Sequence, residues 1–322
     1  MACGTTVAQN NTYHIITTFN TASNPSPCTY KICPCSNNIC KIRLDFETFT
    51  ISGPATTVIN TDIASVGPAV GDCLTDSFTV TTPGSGAPPT ICGFNTGQHM
   101  FVDSSSACNI LSFNIDTATT TTRSWRVKAT QYDCRSDVPG IVDDCLQYFT
   151  GLSGTIRNFN YDTTKVDSAL ATANTHLSNQ DYNICFRQER GFCSICFDPV
   201  STNSFSVSAS GDAGIAQSAI SSVCTGSDAF GDYIEVTNLD VAPVTPATLG
   251  IQRVCGNFFH SILGQAPGTT LCSAHVPFRW GVRFDDGEVT ADTSGGANFN
   301  AAENYAAGGT IGFNMNWFQL PC

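Results

Sequence analysis

Cysteine offers the most chemistry in this chain of 322 residues, which contains 17 of them. Cysteines spread along a whole sequence in such number are typical of a disulfide framework made in an oxidising compartment. A zinc site would need paired Cys-x-x-Cys units at ligand spacing, and Cys193-Ser-Ile-Cys196 is the only such pair. We therefore expect disulfides, and a secreted, extracellular protein. Because Cys3 follows Met1 so closely, we also expect a mature chain.

Serine, histidine and acidic residues, which hydrolytic enzymes use for catalysis, are present, but not at the spacing of a catalytic motif. A serine hydrolase needs a histidine base beside its serine, and no Gly-x-Ser-x-Gly elbow exists here. The sequence also has no His-Glu-x-x-His motif, phosphate loop or dinucleotide fingerprint. The neighbouring acids Asp45 and Glu47, like Asp285 and Asp286, are typical of solvated strands and turns. We therefore predict a protein that is not an enzyme. Its five histidines are His14, His99, His176, His260 and His275.

The charge balance narrows the choice of partners. With 14 basic and 26 acidic residues the formal net charge is −12, which repels phosphate backbones and anionic lipid. No apolar run approaches the ~18 residues of a spanning helix. We therefore expect no nucleic-acid partner and no membrane insertion. Asn10-Asn11-Thr12 is the one N-glycosylation sequon, which makes Asn10 a candidate glycan attachment residue.

Most of the secondary structure that the sequence predicts consists of β-strands. Ile42, Leu44 and Phe46 alternate with charged residues, and the phase then slips by one so that Phe49 and Ile51 continue the apolar face. Such a slip predicts a β-bulge. The best helical candidates are only the short segments 169–176 and 216–223. Further strands are predicted at Phe78–Val80, Leu111–Ile115, Trp125–Tyr132, Phe205–Ala209, Tyr233–Val236, Phe278–Phe284 and Ile311–Phe318. Their tryptophans, Trp125, Trp280 and Trp317, are expected in the core.

An internal repeat organises the chain. The order of cysteines, acids and aromatic residues in the first part returns in the second, which carries longer loops. We therefore predict a first domain at 1–134, a linker at 135–144 and a second domain at 145–322. The matching positions of the first copy are Cys73, Asp76, Cys92-Gly93, Phe113, Asp116, Trp125 and Cys134. Those of the second copy are Cys224, Asp232, Cys255-Gly256, Phe284, Asp286, Trp317 and Cys322.

These residues resemble the CUB domain, a jelly-roll-like β-sandwich of extracellular proteins. Gln98-His99-Met100 and Gln131-Tyr132 are similar to secreted CUB proteins of arthropods, here without a protease domain. The resemblance implies an all-β fold of two tandem, disulfide-stapled CUB-like antiparallel β-sandwiches. The first copy carries it on Cys3-Gly4, Cys28-Thr-Tyr-Lys-Ile, Ile42–Phe49, Cys73, Asp76, Cys92-Gly93 and Phe113 to Tyr132. The second copy carries it on Cys224, Asp232-Tyr-Ile-Glu, Cys255-Gly256, Phe284 and Gly312-Phe313.

The cysteine pairing follows partly from this resemblance and partly from strand geometry. The resemblance implies Cys3–Cys28 and Cys73–Cys92, and the repeat extends it to Cys224–Cys255. If consecutive strands pair antiparallel, their ends bring Cys108 to Cys134 and Cys272 to Cys322. A cross-linked hairpin would join Cys33 to Cys40, with Cys185 and Cys196 as the repeat equivalent. Cys35, Cys145 and Cys193 then remain, so one odd thiol is either free or bonded to another chain.

Calcium is the one cofactor that the resemblance implies. Some CUB domains bind Ca2+ through a Glu before the third cysteine, an Asp just after it and an Asp in a late loop, since this ion needs six to eight oxygens. Asp76 and Asp116 match the two aspartates in the first copy, and Ser52 replaces the Glu. In the second copy Asp232 matches, whereas Asp286 is one residue out of register. The alternative is that Asp76 and Asp232 are turn residues that accept backbone N–H bonds.

Two functions remain open from the sequence. The leading hypothesis is a secreted, non-catalytic structural or interaction protein that self-assembles, even into filaments, or binds extracellular proteins through its loops and sheet edges. The expected partners are further copies of the chain or an extracellular protein. The alternative is a monomeric protein- or carbohydrate-binding module assisted by calcium.

Overall fold

The computed structural model divides the chain into two compact units. The first comprises Met1–Pro54 and Cys73–Tyr148, and the second comprises Ala55–Asp72 and Phe149–Cys322. Within the described residues every regular element is a β-strand, which confirms the all-β prediction. The described residues are 1–20, 23–55, 71–117, 121–135, 144–161, 175–202, 204–207, 218–220, 224, 232–241, 250–262, 267–285 and 311–322. The linker predicted at 135–144 lies largely outside them.

The first unit consists of two four-stranded sheets. Their strands pair antiparallel, apart from one short parallel pair at the start of the chain. One sheet has the order β1 (Thr6–Val7), β3 (Cys28–Ile32), β7 (Asn109–Ile115) and β5 (Asp76–Thr81). The other has the order β2 (Thr12–Ile16), β8 (Ser124–Asp133), β4 (Ile39–Thr50) and β6 (His99–Asp103). A further strand, β9 (Cys145–Phe149), spans the boundary between the units.

Aromatic side chains from both sheets form the core of the first unit. The rings of Phe113 and Trp125 stack with 4.0 Å between centroids, and Trp125 Nε1 donates a hydrogen bond to the Tyr30 hydroxyl. The predicted bulge is confirmed, because the register of β4 against β8 shifts between Phe46 and Thr48. This shift keeps the apolar residues on both sides of it directed into the core. Burying each such aromatic side chain contributes roughly 1.5–3 kcal/mol.

The second unit is built from β10 to β19. Strand β15 (Tyr233–Val241) belongs to both of its layers, because its residues Tyr233–Glu235 pair in one layer and Asp240 and Val241 pair in the other. Its register against β16 (Ile251–Gly256) shifts between Glu235 and Leu239. One layer has the order β10 (Ser153–Arg157), β19 (Gly312–Pro321), β12 (Phe192–Pro199), β17 (Leu271–Ser273) and β15 (Tyr233–Val241), with β13 (Phe205–Ser206) on β19. The other continues from β15 to β18 (Phe278–Phe284) and β11 (Gln180–Phe186) on one side, and to β16 (Ile251–Gly256) and β14 (Ser218–Ile220) on the other.

Tryptophans close the core of the second unit. Trp280 packs on Phe197 with 4.6 Å between ring centroids, and Trp317 packs on Phe186 at 4.9 Å, so rings of the two layers meet. All three tryptophans of the chain are at most 1% exposed, as predicted. The short helix predicted at 216–223 is wrong at Ser218–Ile220, which pair with β16 as a strand. The helix predicted at 169–176 lies outside the described residues, apart from its last two.

Disulfides fasten strand ends within each unit. The first unit contains Cys3–Cys28, Cys33–Cys108, Cys40–Cys134 and Cys73–Cys92. The second contains Cys193–Cys322, Cys196–Cys272 and Cys224–Cys255. Cys145 and Cys185 are also disulfide-bonded, and Cys35 is an exposed free thiol. The three pairings drawn from the resemblance and the repeat are therefore present, whereas the four drawn from strand geometry are not.

In the first unit the geometric pairings were wrong because consecutive strands belong to different sheets. Strand β3 pairs with β7, which brings Cys33, just after β3, to Cys108, just before β7. Strand β4 pairs with β8 in the other sheet, which brings Cys40 to Cys134. The expected bridges Cys33–Cys40 and Cys108–Cys134 would each have joined the two sheets.

The second unit repeats this error for the same reason. Strand β12 pairs with β17 and β19, so Cys196 lies directly opposite Cys272 and Cys193 lies near the end of β19 at Cys322. Cys185 is on β11, which pairs with β18 in the other layer. The expected bridges Cys185–Cys196 and Cys272–Cys322 do not form.

Candidate functional site

The predicted calcium ligand Asp76 is bound by an arginine. Arg123 Nε donates to Asp76 Oδ2 at 2.5 Å, and Arg123 Nη2 donates to Oδ1 at 2.9 Å. The two side chains are 4% and 0% exposed, so this bidentate ion pair is shielded from water. Asp76 opens β5, and Arg123 immediately precedes β8. The two sheets thus meet at a buried charge pair.

Backbone groups complete the shell around this pair. The amides of Ser52 and Asp116 donate to the two Asp76 oxygens at 2.8 and 3.0 Å, and the Asp116 carbonyl accepts from Arg123 Nη2 at 2.8 Å. Burial alone would raise the pKa of Asp76, but the hydrogen bonds from Arg123, Ser52 and Asp116 outweigh it and lower this pKa. The carboxylate is therefore held in its charged form. Asp116 contributes its backbone to the pair.

This arrangement does not fit calcium at Asp76 and Asp116. Both oxygens of Asp76 are already engaged by a guanidinium, and an incoming Ca2+ would have to displace it, leaving Arg123 buried without its partner. Ser52, which stands where a Glu is wanted, offers an amide and a hydroxyl to the network. The cation that neutralises Asp76 is thus supplied by the chain itself.

The second unit places a histidine against the corresponding aspartate. His176 Nε2 lies 3.3 Å from Asp232 Oδ2, and both side chains are at most 1% exposed. The two atoms form an ion pair, and the geometry of the contact is not that of a hydrogen bond to Asp232 Oδ2. The Asp285 amide donates to Asp232 Oδ1 at 2.7 Å, just as the Asp116 amide donates to Asp76. By this criterion Asp285, and not Asp286, is the counterpart of Asp116.

The hydrogen bonds of His176 favour its protonated form. Its Nδ1 lies 3.2 Å from the Leu177 carbonyl and its Nε2 lies 3.0 Å from the Val207 carbonyl. Only a doubly protonated ring can donate to both. Burial alone would lower the pKa of His176, but the Asp232 carboxylate and the two carbonyls outweigh it and raise this pKa. In both units, a buried aspartate therefore faces a cationic side chain.

The predicted calcium residues of the second unit are only partly within the described chain. Asp286 lies outside it, so that half of the prediction stays a prediction. Within the described residues, no three His, Cys, Asp or Glu side chains converge on a common point that could hold a metal ion. Asp232, the described member of the pair, has His176 at the position where a metal would bind.

Two of the other histidines are also buried, without a catalytic arrangement. Burial, with a smaller contribution from Arg43, lowers the pKa of His99 to about 3, and the His99 Nε2 accepts a hydrogen bond from the Tyr148 amide. Burial lowers the pKa of His14 to about 4, and the ring lies 4.6 Å from that of Tyr30. Both rings are therefore neutral parts of the core.

The candidate glycan residue Asn10 is exposed at the edge of β8. Its Nδ2 donates to the Gln131 carbonyl at 2.9 Å, and its Oδ1 accepts from the Gln131 amide at 2.6 Å. One hydrogen on Nδ2 remains for substitution. Glycosylation at Asn10 stays a prediction.

Sequence reasoning missed Arg123 and His176, the two cations that decide the chemistry here. Arg123 ends a run of threonines without periodicity, so nothing marks it as a core residue. His176 follows a segment with only weak helical character. The one available signal was the low charge content of 12%, which makes every arginine in the chain a candidate for a specific contact.

The animal CUB domain family matches residues 142–320, more than half of the chain. The chain therefore belongs to this family, whose members are extracellular protein- or ligand-binding modules and generally not catalysts. The disulfides and both sandwich-like units agree with that class. No curated protein matches the chain. No helix among the described residues is long and apolar enough to cross a membrane.

Solved structures similar to this chain also contain CUB domains. The CUB1-EGF-CUB2 domains of rat MASP-1 are 14% identical, with 97% of this chain and 99% of that chain covered and a TM-score of 0.27. The MASP-1 CUB2 domain bound to Ca2+ is 18% identical over 40% of this chain and 98% of that one, with a TM-score of 0.25. The extracellular region of zebrafish Gpr126/Adgrg6 is 11% identical, with 99% of this chain and 34% of that chain covered and a TM-score of 0.30.

Proposed function

We propose that this protein is a secreted, non-catalytic protein of two tandem CUB domains, at 1–134 and 145–322, joined by the linker 135–144. It assembles with further copies of itself, or with extracellular proteins, through its loops and sheet edges. In this proposal the first copy is a CUB domain like the second, and its relatives are arthropod CUB proteins without a protease domain. Extracellular modules of this family bind proteins or ligands, which agrees with a role in contacts.

The observation that carries this proposal is the free edge of β10. This strand pairs with β19 on one side, and its other side has no partner among the described strands. Ser153, Gly154 and Thr155 are exposed there, and Leu152 beside them is 49% exposed. Unpaired N–H and C=O groups are a template for adding a strand from another chain, and the first three residues of this edge carry no charge. Natural monomers usually protect such an edge with charged residues or Pro.

The test is the molar mass of the native protein, measured by size-exclusion chromatography with light scattering over a concentration series. We expect masses above that of the 34.1 kDa chain, rising with concentration. Thr155→Lys places a charge on the exposed edge and should reduce the mass towards that of a single chain. Asn114→Lys is the matched control, because Asn114 is equally exposed but lies on the central strand β7.

The same series separates strand addition from thiol chemistry. Cys35 is exposed and unpaired, so a disulfide between chains would also raise the mass. Assembly that persists in Cys35→Ser and falls in Thr155→Lys supports the edge. A protein that is a single chain at every concentration contradicts self-assembly. It would favour the alternative, a monomeric calcium-assisted protein- or carbohydrate-binding module.

A further inference from the structure

A cavity of about 380 Å³ lies in the second unit, apart from the buried aspartates. This volume is within the usual range of small-molecule sites. Its lining contains one guanidinium and one imidazole but no carboxylate, in a chain whose net charge is −12. The lining residues are Ile195, Val236, Thr237, Ser273, His275, Pro277, Phe278 and Arg279.

Arg279 is the polar residue of this lining that lacks a partner. Its Nε is buried and makes no hydrogen bond, and no ion pair to its guanidinium is found within the described chain. Arg283, on the same outward face of β18, is fully engaged by comparison: it donates to the Tyr182 carbonyl and to Asn183 Oδ1 and lies 3.2 Å from a carboxylate oxygen of Glu235. A buried donor without an acceptor costs free energy, which a bound acceptor would recover.

The other walls supply shape and an apolar surface. The Ser273 hydroxyl donates to the Thr237 carbonyl at 2.5 Å and accepts from the His275 amide at 3.1 Å, which fixes the rim. The His275 ring itself is exposed. Pro277 is the exposed apolar residue of the lining, whereas Ile195, Val236 and Phe278 are at most 3% exposed and close the base of the cavity. A cationic fork next to an apolar surface matches a ligand with both an oxyanion and a hydrocarbon part.

We propose that this cavity binds a small organic carboxylate, whose oxygens accept hydrogen bonds from Arg279 and whose apolar body lies against Pro277. His275 provides a second donor at the rim. The site requires neither self-assembly nor calcium.

The test is an NMR titration of the full-length protein with sodium benzoate, with sodium sulfate as an oxyanion without an apolar body and sodium chloride as the ionic-strength control. We expect saturable shifts of the Arg279 Nε–Hε signal with benzoate, weaker binding of sulfate and none of chloride. Arg279→Gln should weaken benzoate binding at least about tenfold, since charge-assisted hydrogen bonds contribute about 1.5–3 kcal/mol. Arg279→Lys keeps the charge but loses the planar guanidinium, so its benzoate affinity should lie between those of the wild type and Arg279→Gln.

Arg283→Gln is the matched control, because this arginine lies on the same face of the same strand but already has partners. It should bind benzoate like the wild type. Equal benzoate affinity in wild type, Arg279→Gln and Arg279→Lys would overturn the proposal, as would the absence of saturable shifts in the wild type. Sulfate binding as tight as benzoate binding would remove the apolar part of the site and with it the assignment to organic carboxylates.

Discussion

Arg123 and Asp76 form a bidentate ion pair between the two sheets of the first unit, with at most 4% of either side chain exposed. Taking two charges out of water costs free energy that their attraction and hydrogen bonds must offset. Loss of either partner would therefore leave the other charge buried and unpaired, which does not happen when a pair on the surface is broken. Each partner is further bound by backbone groups of Ser52 or Asp116.

Removing the arginine should destabilise the protein strongly. Arg123→Ala leaves Asp76 charged and buried without its partner, and we expect the free energy of unfolding to fall by about 3–5 kcal/mol. Denaturant unfolding, followed by tryptophan fluorescence, measures this. The matched control is Arg126→Ala, since the Arg126–Glu47 pair is 46% and 40% exposed and should contribute little. Equal effects of the two substitutions would contradict a structural role for the buried pair.

Calcium binding should appear at Asp76 only after the arginine is removed and the missing carboxylate supplied. We expect the double variant Ser52→Glu, Arg123→Ser to bind one more Ca2+ than the wild type in a calorimetric titration, because Ca2+ then replaces the guanidinium as the counter-ion. Adding Asp76→Asn to this variant should abolish the gain. A wild-type site that is itself lost in Asp76→Asn would show that calcium and Arg123 do not compete.

Acid should destabilise the first unit through its buried histidines. The pKa of His99 is lowered to about 3 and that of His14 to about 4, so protonation favours the unfolded chain, in which histidine has a pKa near 6.5. Their contribution is complete above pH 6.5 and is lost, by about 1.4 kcal/mol per pH unit for each histidine, as pH falls to about 4 for His14 and about 3 for His99.

The measurement compares thermal unfolding at pH 7.5 and pH 5. His99→Gln keeps a hydrogen-bond acceptor for the Tyr148 amide but cannot titrate, so it should show a smaller loss in acid than the wild type. An unchanged acid loss in His99→Gln would show that His99 is not the group responsible.

The sequence predicts those features that depend on local periodicity. The bulge after Phe46 was readable because a one-residue slip in an alternating pattern must keep the apolar face continuous. The positions of several strands along the chain and the burial of the tryptophans follow from the same pattern. Asp76 and Asp232 could be recognised because the repeat places each between two matching cysteines, Cys73 and Cys92 or Cys224 and Cys255.

Features that depend on which distant strands pair could not be read in this way. Cys33 and Cys40 are close in sequence, but their strands lie in different sheets, so each bonds a cysteine far along the chain. The partner of Asp76 was equally hidden, because Arg123 is 47 residues away and follows a segment without periodicity. The chemistry of this site, a built-in cation in place of a bound one, is therefore a tertiary property.

The long disulfide loops limit how far this molecule can be stretched. Cys40–Cys134 spans 94 residues, and Cys193–Cys322 spans 129. At about 3.4 Å per extended residue, the two loops correspond to about 320 Å and about 440 Å of chain that cannot be extended while the bridges are intact. A pulling force can separate the strands inside each loop but cannot draw them out. In a material that bears load, only the segments outside these loops could extend, so the covalent cross-links would set the maximum length of the chain.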